Sequence, residues 1–211
     1  MIKDELAAYT ADILRRVGHG PAEVLFNGQI GEARRVVGGA LRSGQQSPSF
    51  SLTNANGASV TLTERLEHGP VILAFYRGGW CPYCNIALRA LQARLPEIKA
   101  LGGSLIAISP ELPDHSLSTS EKLSLDFDVL SDPENGVARQ FGLVYRVSDA
   151  ARDQLLALGR DLVARNGSDA WELPVTATYV IAQDGLIKFD HVDADYRDRL
   201  DPEALVNALS R

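Results

Sequence analysis

The run Phe75-Tyr76-Arg77-Gly78-Gly79-Trp80-Cys81-Pro82-Tyr83-Cys84 sets the architecture of this 211-residue chain. An apolar segment, Val71-Ile72-Leu73-Ala74-Phe75-Tyr76, leads into it and has the character of a buried strand. Gly78-Gly79 supply a turn. The only two cysteines of the chain follow, with Pro82 between them. Behind them Leu88, Leu91, Leu95 and Ile98 recur at helical spacing. The pattern reads as strand, tight turn, and thiols at a helix N-terminus. Pro82 suits the first helical position, where its missing N–H would be unpaired anyway. Residues i and i+3 share a helix face, so Cys81 and Cys84 can touch.

That placement has a chemical consequence. The thiolate is the nucleophile in thiol chemistry, and the free amides and dipole of a helix N-terminus favour an anion. A thiol there drops below its ordinary pKa of about 8.5. At least one of the two is therefore expected to ionise near neutral pH, with help from Arg77 and the peptide N–H groups of Gly79 and Trp80. The second cysteine then resolves whatever the first becomes. The plainer alternatives are a pair of buried structural cysteines, or half of a zinc site. A structural zinc site needs two more ligands. No further cysteine exists, and the four histidines, His19, His68, His115 and His191, show no paired spacing. A C-x-x-C in a βαβ setting reads as redox. No metal and no bound cofactor are expected. His191, Asp193 and Asp195 read as an acidic strand end rather than a ligand set.

Composition sets outer limits. The chain is 45% apolar and 23% charged, as in ordinary globular proteins. Its net charge of −6 argues against nucleic acid or an anionic membrane surface as the main partner. No apolar run approaches the roughly 18 residues that span a bilayer. Met1-Ile2-Lys3-Asp4-Glu5-Leu6 carries acids where a signal peptide has a basic region. The expected location is cytoplasmic, where thiols are kept reduced between turnovers.

Along the chain, residues 1–18 carry a helical stripe of Ile2, Leu6, Tyr9, Ile13, Leu14 and Val17, ended by Gly18 and Gly20. It offers a cover for part of the core, or else a lid or a homodimer contact. One or two short helices are expected over 21–42. The polar, breaker-rich stretch 42–48 marks the join between an N-terminal helical extension, 1–46, and a main domain, 47–211. Ser49–Leu52 and Ser59–Leu62 alternate as a β-hairpin. Thr63 is expected to cap a short helix through Leu66. The strand at 71–76 and the thiol helix follow, the latter interrupted or kinked at Pro96. Further strands are expected at 104–109 and 127–130, with a helix at 115–123 between them. A capped helix starts at Ser131-Asp132-Pro133-Glu134 and stops at Gly142. One amphipathic helix is expected over 149–165. Strands at 177–181 and 186–192 are joined by Gln183-Asp184-Gly185. Asp201-Pro202-Glu203 caps the last helix. The order describes an α/β fold, a central mixed β-sheet flanked by helices, with the thiols at the carboxyl end of a central strand.

Several segments carry a resemblance. Trp80-Cys81-Pro82-Tyr83-Cys84 resembles the active-site motifs of thioredoxins and glutaredoxins. Ser47-Pro48-Ser49-Phe50-Ser51-Leu52 is similar to the opening strand of peroxiredoxins of the alkyl hydroperoxide reductase and thiol-specific antioxidant (AhpC/TSA) superfamily. Val129-Leu130-Ser131-Asp132-Pro133 with Val137–Gly142 resembles a segment of their bacterioferritin-comigratory type. Thr178-Tyr179-Val180-Ile181 with Asp184-Gly185 resembles their late hairpin. The resemblance runs from about Ser47 to Leu209 and implies a thioredoxin-like fold. Laid on the family pattern, Cys84 takes the peroxidatic position, Cys81 the Thr/Ser position and Arg77 the Pro position. The family's supporting arginine falls near Thr176. Arg77 is then the candidate replacement cation, and Trp80, Pro82 and Tyr83 flank the thiols.

Two functions follow from the resemblance, and a non-catalytic binding or redox-sensing module is the third reading. In a thiol peroxidase, Cys84 attacks hydrogen peroxide or an organic hydroperoxide, becomes a sulfenic acid and is resolved by Cys81. Thioredoxin or a similar dithiol then reduces the Cys81–Cys84 disulfide. In a protein disulfide oxidoreductase, Cys81 is the nucleophile and Cys84 resolves. Trp171 is read mainly as core packing, with a place over the thiols as the sharper alternative.

Overall fold

The computed structural model describes residues 2–54 and 56–210. Its centre is β3 (Val71–Phe75), with every residue buried, which is why the segment is apolar without alternation. β3 pairs in parallel with β4 (Ser104–Ser109) and antiparallel with β8 (Thr176–Ile181). Beyond β4 lie β5 (Asp128–Ser131), β1 (Ser51–Asn54) and β2 (Ser59–Thr61). Beyond β8 lies β9 (Ile187–Asp193). The seven-stranded order is β2-β1-β5-β4-β3-β8-β9.

The two faces of β3 feed different layers. Ile72 and Ala74 pack with Leu91, Leu95 and Ile98 of α4 (Pro82–Ala100) and Leu205 of α9 (Pro202–Leu209). On the opposite face the rings of Phe75, Phe141 and Tyr179 cluster, with centroids 4.9 Å apart for Phe75–Phe141 and 5.2 Å for Phe141–Tyr179. The apolar stripe of α1 (Ile2–Val17) is taken up within the chain: Ile2, Leu6 and Ile13 are buried in the same core cluster as Cys81 and Cys84. Among the described residues, no helix is long and apolar enough to cross a membrane.

Several expectations are corrected. The stretch expected to hold short helices is a single helix, α2 (His19–Val36), starting directly after Gly18 at φ 80°. Gly20 and Pro21 lie in its first turn, where proline forfeits no hydrogen bond. Helix α3 (Leu62–His68) is capped by Thr61, whose hydroxyl accepts from Glu64 N, not by Thr63. Pro96 does not interrupt α4. Leu95 and Ile98, on either side of it, stay buried against the sheet, and tertiary packing outweighs the one missing N–H.

The long helix expected over 149–165 is two: α7 (Asp149–Ala157) and α8 (Leu162–Asn166). Gly159, at φ 69°, turns the chain, and Asp161 opens α8 by accepting from Val163 N at 2.9 Å. A two-stranded ribbon, β6 (Val144–Arg146) with β7 (Glu172–Pro174), went unread because each strand has only three residues. The remaining helices are α5 (Pro113–Leu123) and α6 (Gly136–Gln140).

The Asp132 carboxylate is buried and accepts from Val137 N at 3.0 Å and Ala138 N at 2.9 Å. It thereby holds α6, whose following Phe141 packs on Phe75. Asp132→Ala leaves both donors unpaired and should lower the unfolding free energy by about 2 kcal/mol, read as a fall in the urea midpoint at unchanged m-value.

Candidate active site

The turn between β3 and α4 is held by groups that require glycine. Gly78 sits at φ 137°, and a Cβ there would run into the Trp80 indole. A Cβ on Gly79 would overlap the Thr119 hydroxyl. The freed backbone is well partnered: Tyr76 N donates to Ile108 O at 2.9 Å and Cys81 N to Gly78 O at 3.1 Å. Gly79 N donates to Glu111 Oε2 at 2.6 Å, and Asn85 Nδ2 to Gly79 O at 2.9 Å. Glu111 is fully buried, and Arg165 Nη1 reaches its other oxygen at 3.4 Å. Burial raises the Glu111 carboxyl above its usual range against the opposing pull of Gly79 N–H and Arg165.

Cys81 is the N-cap residue of α4 and Pro82 its first residue. Both sulfurs are buried, with relative exposures of 1% for Cys81 and 0% for Cys84. Each meets its own guanidinium. Arg77 Nη1 donates to Cys81 Sγ at 3.6 Å, and Arg199 Nη2 to Cys84 Sγ at 3.4 Å. The two thiols also influence each other's ionisation.

Burial acts to raise the Cys81 thiol. The hydrogen bond from Cys84 and the charges of Arg77 and Arg199 outweigh it and hold Cys81 well below the ordinary thiol range. Cys84 goes the other way: burial, the hydrogen bond to Cys81 and the negative charge on Cys81 push it well above that range. The two directions oppose each other, so the pair favours ionisation of Cys81 before Cys84. Arg77 is itself buried, stacked with its Cζ 3.7 Å from the Tyr196 ring centroid and 4.9 Å from that of Trp80. Its Nη2 donates to Gln29 Oε1.

A small space adjoins each sulfur. One of about 10 Å³ borders Cys81, Arg77 and Gln29 under Tyr9 and Phe26 of the N-terminal helices. Another of about 40 Å³ borders Cys84, Arg199, Thr176 and His191. A water-sized molecule needs roughly 10–15 Å³. The second space therefore holds something the size of a small peroxide.

The fold thus gathers Cys81, Cys84, Arg77, Trp80, Pro82 and Tyr83 around the turn, and Thr176 onto the Cys84 cavity. Tyr83 faces the N-terminal helices. Its hydroxyl lies 3.0 Å from Thr10 Oγ1 and its ring meets Tyr9 edge-on at 5.0 Å. Trp171 lies elsewhere, lining a cleft with Pro110, Asn135 and Asn166. Asp195 is engaged by Arg197 at 2.8 and 2.6 Å. Among the described residues, no group of three or more His, Cys, Asp or Glu side chains is placed to hold a metal ion.

Sequence reasoning missed Gln29, Glu111, Tyr196 and Arg199. None lies near the cysteines in the chain, and no local motif marks them. Arg77, the candidate replacement cation, lies against Cys81, while Cys84, the peroxidatic position of the family register, lies against Arg199.

In the reduced protein, iodoacetamide should alkylate Cys81 with a pH midpoint below the free-thiol value of about 8.5. Arg77→Leu should move that midpoint upward by about 1–2 pH units, the usual effect of losing an adjacent opposite charge. The pH dependence of the labelling rate, with the site read by mass, checks both.

The AhpC/TSA family model matches residues 43–190. Peroxiredoxin Bcp of Escherichia coli (strain K12) is 32% identical over 103 residues, 49% of this chain and 65% of that protein. The chain therefore spans just under two thirds of the length of that curated relative. Among solved structures, peroxidoxin BcpB from Mycobacterium tuberculosis superimposes with a TM-score of 0.63 at 21% identity, covering 81% of this chain and 97% of that one. A putative thiol:disulfide interchange protein DsbE from Chlorobium tepidum does so with a TM-score of 0.56 at 20% identity, with coverages of 81% and 97%. At these identities the structural likenesses speak for the fold alone.

Proposed function

The chain belongs to the AhpC/TSA family, and from that premise we propose that it is a thiol peroxidase working through the Cys81–Cys84 pair. The observation that carries this reading is the asymmetry of two neighbouring, buried thiols: Cys81 at the N-cap of α4 beside Arg77, its thiol held low, and Cys84 beside Arg199, its thiol pushed up. The Cys81 thiolate attacks the terminal oxygen of a hydroperoxide, ROOH. The S–O bond forms, the O–O bond breaks, and its electron pair leaves on RO⁻. The Cys84 S–H supplies the proton that makes this ROH. Cys81 is then a sulfenic acid and Cys84 a thiolate. Cys84 attacks the Cys81 sulfur, the S–S bond forms, and hydroxide leaves and is protonated to water. The two electrons gained by the peroxide come from the thiol pair. A dithiol of the thioredoxin type returns them by thiol–disulfide exchange. A reducing cytoplasm suits that last step.

This order reverses the one implied by the family register, in which Cys84 attacks first. The register order is favoured by one observation, the larger space beside Cys84, Arg199 and Thr176. It requires Cys84 to ionise before Cys81. The protein disulfide oxidoreductase reading uses the same first nucleophile, Cys81, and ranks second because the family match is to AhpC/TSA proteins.

Reduced wild type, Cys81→Ser and Cys84→Ser, each given one equivalent of hydrogen peroxide, separate these readings by mass. The proposed order predicts a fast-forming sulfenic acid, or its further oxides, on Cys81 in Cys84→Ser, and an intramolecular disulfide in wild type. Fast oxidation of Cys84 in Cys81→Ser alone would reverse the roles. Wild type reacting no faster than a free thiol would overturn the peroxidase.

A further inference from the structure

We propose that Gln29, in the N-terminal extension, is a positioning residue of the thiol site that holds the Arg77 guanidinium against Cys81. Gln29 lies in α2, outside residues 43–190 that match the family model, and it is fully buried. Both ends of its amide are committed. Nε2 donates to Leu25 O at 2.9 Å, which turns Oε1 toward Arg77 Nη2. The opposite orientation would set two donors against each other.

Arg77 has few other in-plane anchors. The rings of Tyr196 and Trp80 lie over its guanidinium and limit its tilt. Its Nε has no hydrogen-bond partner among the described residues. Gln29 and the Cys81 sulfur, with the Tyr145 hydroxyl beside them, are therefore the acceptors that fix where the charge sits within its plane. A neutral acceptor is what this position needs. An apolar side chain would leave a buried Arg77 donor unpaired. A carboxylate would pair with Arg77, draw its charge away from the sulfur and place a second negative charge near it. The amide holds the guanidinium and leaves its full charge to Cys81.

Helix α2 is itself held in place. Leu25, Phe26, Ile30 and Ala33 are buried around Gln29. Gly28 sits so close to α7 that a Cβ on it would lie 2.9 Å from Ser148 Oγ and 3.2 Å from Ala151 Cβ. Position passes from α7 through α2 and Gln29 to Arg77, and from Arg77 to the sulfur.

The inference rests on Cys81 being the ionising thiol. Its test reads ionisation directly and does not depend on peroxidase activity. Full-length reduced wild type, Gln29→Met and Gln29→Glu are titrated by thiolate absorbance at 240 nm and by iodoacetamide labelling, with the labelled cysteine identified by mass. Gln29→Met keeps the length and removes the acceptor. Its Cys81 midpoint should rise by roughly one pH unit, a tenfold loss of labelling rate well below the midpoint that vanishes above it. Gln29→Glu should rise further. A low wild-type midpoint left unchanged in Gln29→Met overturns the inference, even if that variant loses stability in urea. If Gln29→Glu does not fold, Gln29→Met decides by the same criterion. A wild-type midpoint in the ordinary thiol range, or label on Cys84, overturns the thiolate assignment and this inference with it.

Discussion

The Arg77 guanidinium is buried to 2% exposure, and the thiol site is arranged around it. A charge out of water persists only where acceptors and countercharge surround it. Arg77 has the Cys81 sulfur on one nitrogen and Gln29 on another, with Tyr196 and Trp80 against its face. Burial acts against its charge, but the surrounding phenol and thiol groups, Cys81 among them, outweigh it and hold the guanidinium cationic. Cation and thiolate thus stabilise each other. The helix N-terminus adds its partial charge at the same sulfur.

The two cysteines are chemically identical and the structure makes them different. Cys81 stands at the N-cap, where α4's unpaired amides begin, and Cys84 stands one turn further in. That displacement puts Cys81 nearer the positive end of the helix dipole and adds to the effect of Arg77. Glu111, a buried acid close to this turn, is kept useful by its geometry. It accepts from Gly79 N–H and faces Arg165, so it supports the backbone that carries the thiols. Burial of both sulfurs also shapes what they can meet. The space of about 40 Å³ beside Cys84 has room for a small molecule and that of about 10 Å³ beside Cys81 for about one water, and neither admits a folded partner without movement of the covering helices.

Those covering helices join the core rather than lying on top of it. Ile2, Leu6, Ile13, Leu25, Phe26 and Ile30 share one buried cluster with the thiol turn. Tyr83 meets Tyr9, Phe26 and Tyr196 edge-on, so the residue between the cysteines is held by three elements distant in sequence.

The amino-acid order by itself determined what depends on neighbours within a few residues. The apolar run at 71–75, the glycines at 78 and 79, Pro82 and the leucines of α4 dictate strand, turn and helix through backbone sterics and side-chain period. With them come the closeness of Cys81 to Cys84 and the presence of a lowered thiol. The alternation of 51–61, Asp184-Gly185 and Asp201-Pro202 likewise placed the hairpins and the last helix. Elements whose local signals conflict with packing were not legible. Pro96 argues for a break that the buried face of α4 overrides, and Gly159 divides a stripe that reads as continuous. The tertiary structure alone decided which sulfur holds which charge. Gln29 reaches Arg77 across 48 residues and Arg199 reaches Cys84 across 115. Their side chains carry no pattern, because a buried polar contact needs one correctly placed atom, and that atom's position is a property of the whole fold.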